Sequence, residues 1–277
     1  MNYRHAYHAG NFADVVKHVA LVAILKHLRM KDTAFAVIDT HAGRGLYDLA
    51  SDEATRTGEA EAGIGRILDA PGVAPGALAT YLDLVRTEGK SRYPGSPLVA
   101  ARLLRDQDRL VAIEKHPEEA AALAETLAHF RAAKVVRGDG YHLLAGMLPP
   151  PERRGLVLID PPFESESEFH DCARVLGGAH RRFPTGVYLA WFPRKSAGAG
   201  DLFCDELLAG GVSRLVRVGI DVSAARKDGD RLTAAGLAVV NPPFGFVEEM
   251  HSCAVVLAPL LGEGRPAKFA VETLAQG

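Results

Sequence analysis

Cysteine, net charge and long apolar runs are all scarce in this 277-residue chain. Its three cysteines, Cys172, Cys204 and Cys253, lie far apart with no C-x-x-C pair. That spacing argues against a disulfide framework and against a thiolate zinc site, and it predicts a reducing, cytoplasmic setting. The formal net charge is −2, so whole-molecule electrostatics give no support to nucleic-acid binding, which relies on an excess of Lys and Arg. Any such contact has to come from a local patch. The longest apolar stretch near the N-terminus, Val19 to Leu25, stops at Lys26, far short of the roughly 20 residues that a bilayer span needs. With Asp14 and Lys17 ahead of it and no cleavage pattern, it does not read as a secretion signal either. No membrane partner is expected.

What is present suffices for a proper core: 48% of the residues are hydrophobic and 24% charged. Residues 11–29 predict an amphipathic helix, with Asn11 as its cap and Val15, Val16, Val19, Val22 and Leu25 at helical spacing. Strands are predicted at Phe35–Asp39, Leu110–Glu114, Lys134–Arg137, Leu156–Asp160, Gly186–Trp191, Leu215–Ile220 and Leu237–Asn241, with Ala- and Leu-rich helices such as Pro117–Phe130 between several of them. Alternating strands and helices imply a mainly parallel sheet covered on both faces, an α/β fold. The interval 48–94 breaks that rhythm and predicts a helical insertion without a clear strand, inside one domain spanning 1–277. Ser96–Leu104 then supplies the next crossover helix.

Four turns carry candidate chemistry. The first, Asp39-Thr40-His41-Ala42-Gly43-Arg44-Gly45, follows a buried strand, and its glycines let backbone approach a ligand closely. It lacks the third glycine of a dinucleotide fingerprint, since Asp48 stands there. The second is Glu114, an acid at a strand end, suited to accept both hydroxyls of a ribose. The third is Gly138-Asp139-Gly140-Tyr141, where Asp139 is a candidate acceptor for a cofactor's adenine amino group.

The fourth and strongest is Leu156-Val157-Leu158-Ile159-Asp160-Pro161-Pro162-Phe163. Proline nitrogens cannot donate, so the carboxylate of Asp160 and the carbonyl of Pro161 are free to accept the two hydrogens of a flat amine. Phe163 is then expected to stack on the base that carries the amine. A rival copy, Asn241-Pro242-Pro243-Phe244, arises two or three strands too late and is expected to close an edge strand.

The N-terminal run Tyr3-Arg4-His5-Ala6-Tyr7-His8 and Lys17-His18 concentrates cationic and aromatic groups. His5, His8 and His18 do not form a firm ligand pattern, so no metal is expected. Lys17 or His18 is expected to pair with a carboxylate of the cofactor, while Tyr3, Arg4 and His5 are candidates for contact with nucleic acid. Arg153-Arg154, Arg181-Arg182, Arg194-Lys195 and Arg226-Lys227 are candidates for a phosphate-binding face.

Taken together, Y-R-H-A-Y-H-A-G-N-F-A-D-V-V-K-H at 3–18, D-T-H-A-G-R-G-L-Y at 39–47, Y-P-G-S-P at 93–97, R-R-G-L-V-L-I-D-P-P-F at 153–163 and the late N-P-P-F closely resemble the RlmJ family, bacterial 23S ribosomal RNA adenine-N6 methyltransferases. The resemblance covers nearly the whole chain. It implies a Rossmann-like class I S-adenosylmethionine-dependent fold with a small helical insertion, a monomer acting on free or partly assembled large-subunit RNA. It implies cofactor contacts at His18, His41, Ser96, Glu114, Asp139 and Gly140, with Gly43 in the glycine turn beside them. It also implies Asp160 as proton acceptor and Tyr3 near the RNA. Family members carry tyrosine where Phe163 stands, and Arg44 replaces a small residue. The competing readings are a DNA adenine or cytosine amino-methyltransferase, a protein-glutamine methyltransferase using Asn241, a non-catalytic RNA-binding protein on a methyltransferase fold, and a nicotinamide-dependent oxidoreductase.

Overall fold

The computed structural model describes residues 7–165, 167–194, 198–223 and 231–277. Tyr3, Arg4, His5, Lys195, Arg226 and Lys227, named above as candidates, lie outside the described residues.

Helix α1 (Phe12–Arg29) starts where the sequence predicts, because the Asn11 side chain accepts from the backbone N–H of Asp14 and satisfies one of the amides left open at a helix start. Its basic last turn, Lys26, His27 and Arg29, suits the negative end of the helix dipole. Strand β1 (Ala36–Asp39) is buried along its whole length. Between β2 (Leu46–Asp48) and β3 (Arg92–Pro94) lie α2 (Asp52–Thr57), a π-helical turn over Glu61–Gly65, α3 (Arg66–Asp69) and α4 (Gly76–Thr87). The sequence reading gave this interval no strand; β2 and β3 pair antiparallel across its base, and three residues each are too few to print a periodicity.

The remaining elements alternate: α5 (Ser96–Leu103), β4 (Arg109–Glu114), α6 (Pro117–Leu127), β5 (Ala133–Arg137), α7 (Gly140–Leu144), β6 (Gly155–Ile159), α8 (Glu168–Arg182), β7 (Val187–Pro193) and α9 (Ala199–Ala209). They are followed by β8 (Arg214–Asp221), β9 (Ala234–Val240), α10 (Phe246–Leu261) and β10 (Lys268–Gln276). The main sheet has eight strands in the order β10-β8-β9-β7-β6-β1-β4-β5. Strands β5, β4, β1, β6 and β7 are parallel neighbours, whereas β9 runs antiparallel between β7 and β8, and β10 pairs antiparallel with β8.

Two apolar clusters cover the two faces. On one, residues of α1, α4, α5, α6 and α10 pack with Val37, Leu156, Leu158 and Leu237; on the other, residues of α8 and α9 pack with Ile38, Val157, Ile159 and Tyr188. Along β6 and β7 the two sets alternate, as the two-residue period of a pleated strand demands. The fold is therefore α/β with a mainly parallel sheet. The expected edge strand at Leu237–Asn241 is corrected: β9 is interior, hydrogen-bonded on both sides, and every residue of it is buried. Its Pro-Pro pair escapes the donor problem by falling after the strand ends rather than at an edge. Among the described residues no helix is long and apolar enough to cross a membrane.

Candidate active site

The carboxyl ends of β1, β4, β5 and β6 converge on a cavity of about 730 Å³. In open α/β sheets ligands bind in this position, beyond the strand ends where the order reverses on either side of the first strand. Lys17, His18, His41, Gly43, Ser96, Glu114, Asp139, Gly140 and Asp160 all line it. Sequence positions spread from 17 to 160 thus share one space. Pro161 and Phe163 are absent from its wall, while Pro162 contributes.

The glycine turn after β1 is shaped by close packing. Gly43 has φ +62°, a conformation costly for side-chain-bearing residues, and a Cβ there would overlap the Tyr47 hydroxyl. Its N–H donates to Glu114 Oε2 at 2.8 Å, and the N–H of His116 donates to Glu114 Oε1 at 2.7 Å. The strand-end acid is thus held by two backbone amides and tied to a turn 71 residues earlier. Arg44 is accounted for as well: its Nε and Nη2 donate to the two oxygens of Glu119 at 2.8 and 2.6 Å, a bidentate pair that braces the turn against α6.

Asp139 caps α7, accepting from the N–H groups of Tyr141 (3.0 Å) and His142 (3.3 Å), and its other oxygen accepts from Lys115 Nζ at 2.9 Å. Burial works against its charge, but these donors hold its carboxyl below the usual range. Gly140 lies so close to the Thr40 carbonyl that any Cβ would collide, so the third turn packs directly on the first. The His41 ring meets Tyr141 edge-on at 5.0 Å. Burial pushes the His41 pKa down to about 4, leaving a neutral imidazole at pH 7.

Asp160 follows β6 on the face covered by α1. Lys17 Nζ, buried within α1, donates to Asp160 Oδ2 and, at 2.7 Å, to Asp14 Oδ1. Desolvation opposes the ammonium charge, but the two carboxylates outweigh it and push the lysine pKa above its ordinary value. Asp160 Oδ1 has no protein partner among the described residues. One oxygen is therefore locked by a permanent cation while the other remains an acceptor. The neighbouring strand end carries Asp39, buried, accepting from Ser96 Oγ at 2.6 Å. Burial raises its pKa to about 7, with the nearby Asp160 charge adding to the rise and the Ser96 hydrogen bond opposing it.

Phe163 sits at φ +50°, in the left-handed region, with its ring 4.7 Å from Phe169 and 5.6 Å from Trp191. It braces the turn from behind the cavity. Asn241 lies elsewhere: β9 runs antiparallel to its neighbours β7 and β8, so its C-terminal end falls at the opposite end of the sheet's strands from the cavity, where Asn241 Nδ2 donates to the carbonyls of Pro184 (2.7 Å) and Gly186 (2.8 Å). Sequence reasoning missed Lys115, His116, Glu119 and Glu168 in the cavity wall. Of these, only the two residues directly after Glu114 carried a signal, their place beside a strand-end acid.

A mainly parallel sheet with one antiparallel strand inserted beyond its fifth parallel member, and a cavity at the carboxyl ends framed by a glycine turn and three acids, define a Rossmann-like class I methyltransferase fold. The family model described as "Ribosomal RNA large subunit methyltransferase D, RlmJ" matches residues 32–271, and the chain belongs to this family. It is 38% identical over 258 residues to Ribosomal RNA large subunit methyltransferase J of Escherichia coli K12, covering 91% of each chain. It is 36% identical over 279 residues to the protein of the same name from Haemophilus influenzae, covering 98% of each. Among solved structures, protein LPL1258 from Legionella pneumophila superposes with a TM-score of 0.89 at 31% identity, covering 96% of this chain and 98% of that one.

Proposed function

We propose that this protein transfers a methyl group from S-adenosylmethionine to the exocyclic N6 of an adenine in 23S ribosomal RNA. The carrying observation is Asp160: it opens one carboxylate oxygen into the cavity that Gly43 and Glu114 line, and Lys17 holds the other. The membership of the chain in a family named for large-subunit ribosomal RNA methylation supports the choice of substrate.

The cavity's own groups fit the cofactor. Its volume suits a ligand of that size. Glu114, already oriented by two amides, retains lone pairs for a pair of ribose hydroxyls. Asp139 and the Cβ-free Gly140 offer a polar edge and a close backbone surface for a purine. His18 and Ser96 flank the end nearer α1. Of the two residues expected to meet the cofactor's carboxylate, Lys17 is committed to Asp14 and Asp160, so His18 is the better candidate for that contact. The cofactor, when bound, supplies an electrophilic methyl on a sulfonium.

Adenine N6 is a weak nucleophile because its lone pair is conjugated with the ring. Asp160 Oδ1 and the Pro161 carbonyl accept the two amine hydrogens and turn that lone pair out of the ring plane. The carboxylate then stabilises positive charge growing on nitrogen and takes the proton during or after attack. Lys17 keeps Asp160 in position through this cycle, and Asp14 in turn keeps Lys17 charged. Positioning supplies the rest of the rate. Tyr3, Arg4 and His5 are the proposed RNA contacts on the N-terminal side, and Phe163, packed on Phe169 and Trp191, braces the Asp160 turn.

Incubating the protein with deproteinised ribosomal RNA and labelled methyl donor, then digesting to nucleosides, tests the reading: labelled N6-methyladenosine is expected. Label in DNA or protein alone would sink it.

A further inference from the structure

We propose that Trp191, the one tryptophan in the chain, is the wall against which the target adenine rests while Asp160 holds its amino group. This rests on the adenine reading above and names a residue that reading left out.

The placement follows from strand register. Ile159 of β6 pairs with Ala190 of β7, so the next residues, Asp160 and Trp191, stand side by side at the carboxyl ends of neighbouring parallel strands. Such strands lie roughly 4.8 Å apart, and paired residues project to the same face. Ile159 and Ala190 both pack toward α8 and α9, which turns Asp160 and Trp191 to the opposite face, that of α1. Two contacts agree: Asp160 reaches Lys17 on α1, and Trp191 packs at the margin of the α1-side core.

Burial singles the ring out. Every other residue of β7 is buried, while Trp191 is only half-buried at the strand end that borders the catalytic turn. Trp191, like Phe163, stands outside the wall of the cavity, one strand over from Asp160, and a large aromatic left partly open there can meet a planar ligand by stacking, which needs no hydrogen-bond readout. Phe163 cannot take that part as readily. Its ring packs against Phe169 at 4.7 Å and meets Trp191 in a T-shaped contact, at 68° between the two planes. The Phe163 contact instead fixes the tilt of the indole. An adenine whose amino group lies at Asp160 Oδ1 has its ring carried toward β7, where Trp191 stands.

The test is steady-state methylation of deproteinised ribosomal RNA by W191F, W191L and W191A, with S-adenosylmethionine binding measured by equilibrium dialysis. W191L keeps apolar bulk without a π-face, so a merely structural role predicts wild-type kinetics for it. The expected result is a fall in turnover at saturating RNA of about 5- to 150-fold for W191L and W191A, the range that loss of one base–aromatic stack corresponds to. W191F restores most of it, and cofactor binding is unchanged in all three. Wild-type turnover by W191L, or loss of cofactor binding in parallel with turnover, overturns the proposal even if N6-methyladenosine is formed. If the wild-type protein forms none, the adenine reading fails first and this inference with it.

Discussion

The two proline turns, Asp160–Phe163 and Asn241–Phe244, differ by a single residue as tetrapeptides and share almost nothing in their surroundings. The first follows a parallel strand next to β1, at the cavity, beside a buried lysine. The second follows an antiparallel strand and so emerges at the opposite end of the strands, where Asn241 ties the β9 end to the 184–186 loop. Each places one side-chain-bearing residue in the left-handed region, Phe163 at φ +50° and Asn241 at φ +52°. Asparagine visits that region cheaply, whereas a bulky aromatic there stores strain, and strain of that kind gathers at functional sites. Their phenylalanines also part company: Phe163 is packed among aromatics, and Phe244 is 95% exposed. A tetrapeptide acquires chemistry from the strand direction that delivers it.

The sharpest way to break the comparison is to neutralise both turns in parallel. D160A is expected to lower methyl transfer to ribosomal RNA by about 10²- to 10⁴-fold, the usual worth of a positioned acid–base group, while N241A retains wild-type turnover. Equal losses in labelled-methyl assays would erase the distinction. Next in size is K17M. It leaves the carboxylates of Asp14 and Asp160 without their shared cation, and breaking a buried charge pair costs about 3–5 kcal/mol. Chemical denaturation should register that cost, together with loss of turnover. N241A itself is expected to cost about 0.5–1.5 kcal/mol, since the exposed Pro184 carbonyl and the part-buried Gly186 carbonyl lose their donor, a cost that a urea titration can read.

Titration sharpens the contrast further. His41, beside the first turn, has its pKa pushed down to about 4 by burial, against an ordinary value near 6.5. The unfolded chain therefore takes up that proton first as pH falls. The stability His41 contributes is whole above the unfolded value and is lost between about 6.5 and 4. H41Q should flatten that limb of the thermal midpoint plotted against pH; an unchanged slope would remove His41 from the account. The smallest effect belongs to F244A, within about 0.5 kcal/mol of wild type, as for an exposed site with no partner to lose. A larger change in its thermal midpoint would reveal packing at the second turn.

Much of this was legible beforehand because it is written in local pattern. The cap at Asn11, the period of α1 and the apolar runs that became β1, β4, β6 and β7 announce themselves within a few residues. Strand β10 was not read, since most of its residues are at least partly exposed and its partner lies some fifty residues earlier in sequence. The pairing of β2 with β3 was hidden for a related reason, its two halves being separated by the whole helical interval. At the site, the four turns were identifiable singly. The bidentate hold of Arg44 on Glu119, the commitment of Lys17 to Asp14 and Asp160, and the juxtaposition of Trp191 with Asp160 were not, because each joins residues with no shared local signal.

The sequence alone determined which residue types stand at strand ends, since strand ends are marked by apolar runs that stop at Gly, Pro or an acid. It could not determine which of two nearly identical turns faces the cavity. That depends on whether the preceding strand runs with or against its neighbours, and strand direction is set by long-range pairing across the sheet. Only the assembled sheet brings Lys17, Asp160 and Trp191 to one end of its strands and carries Asn241 to the other.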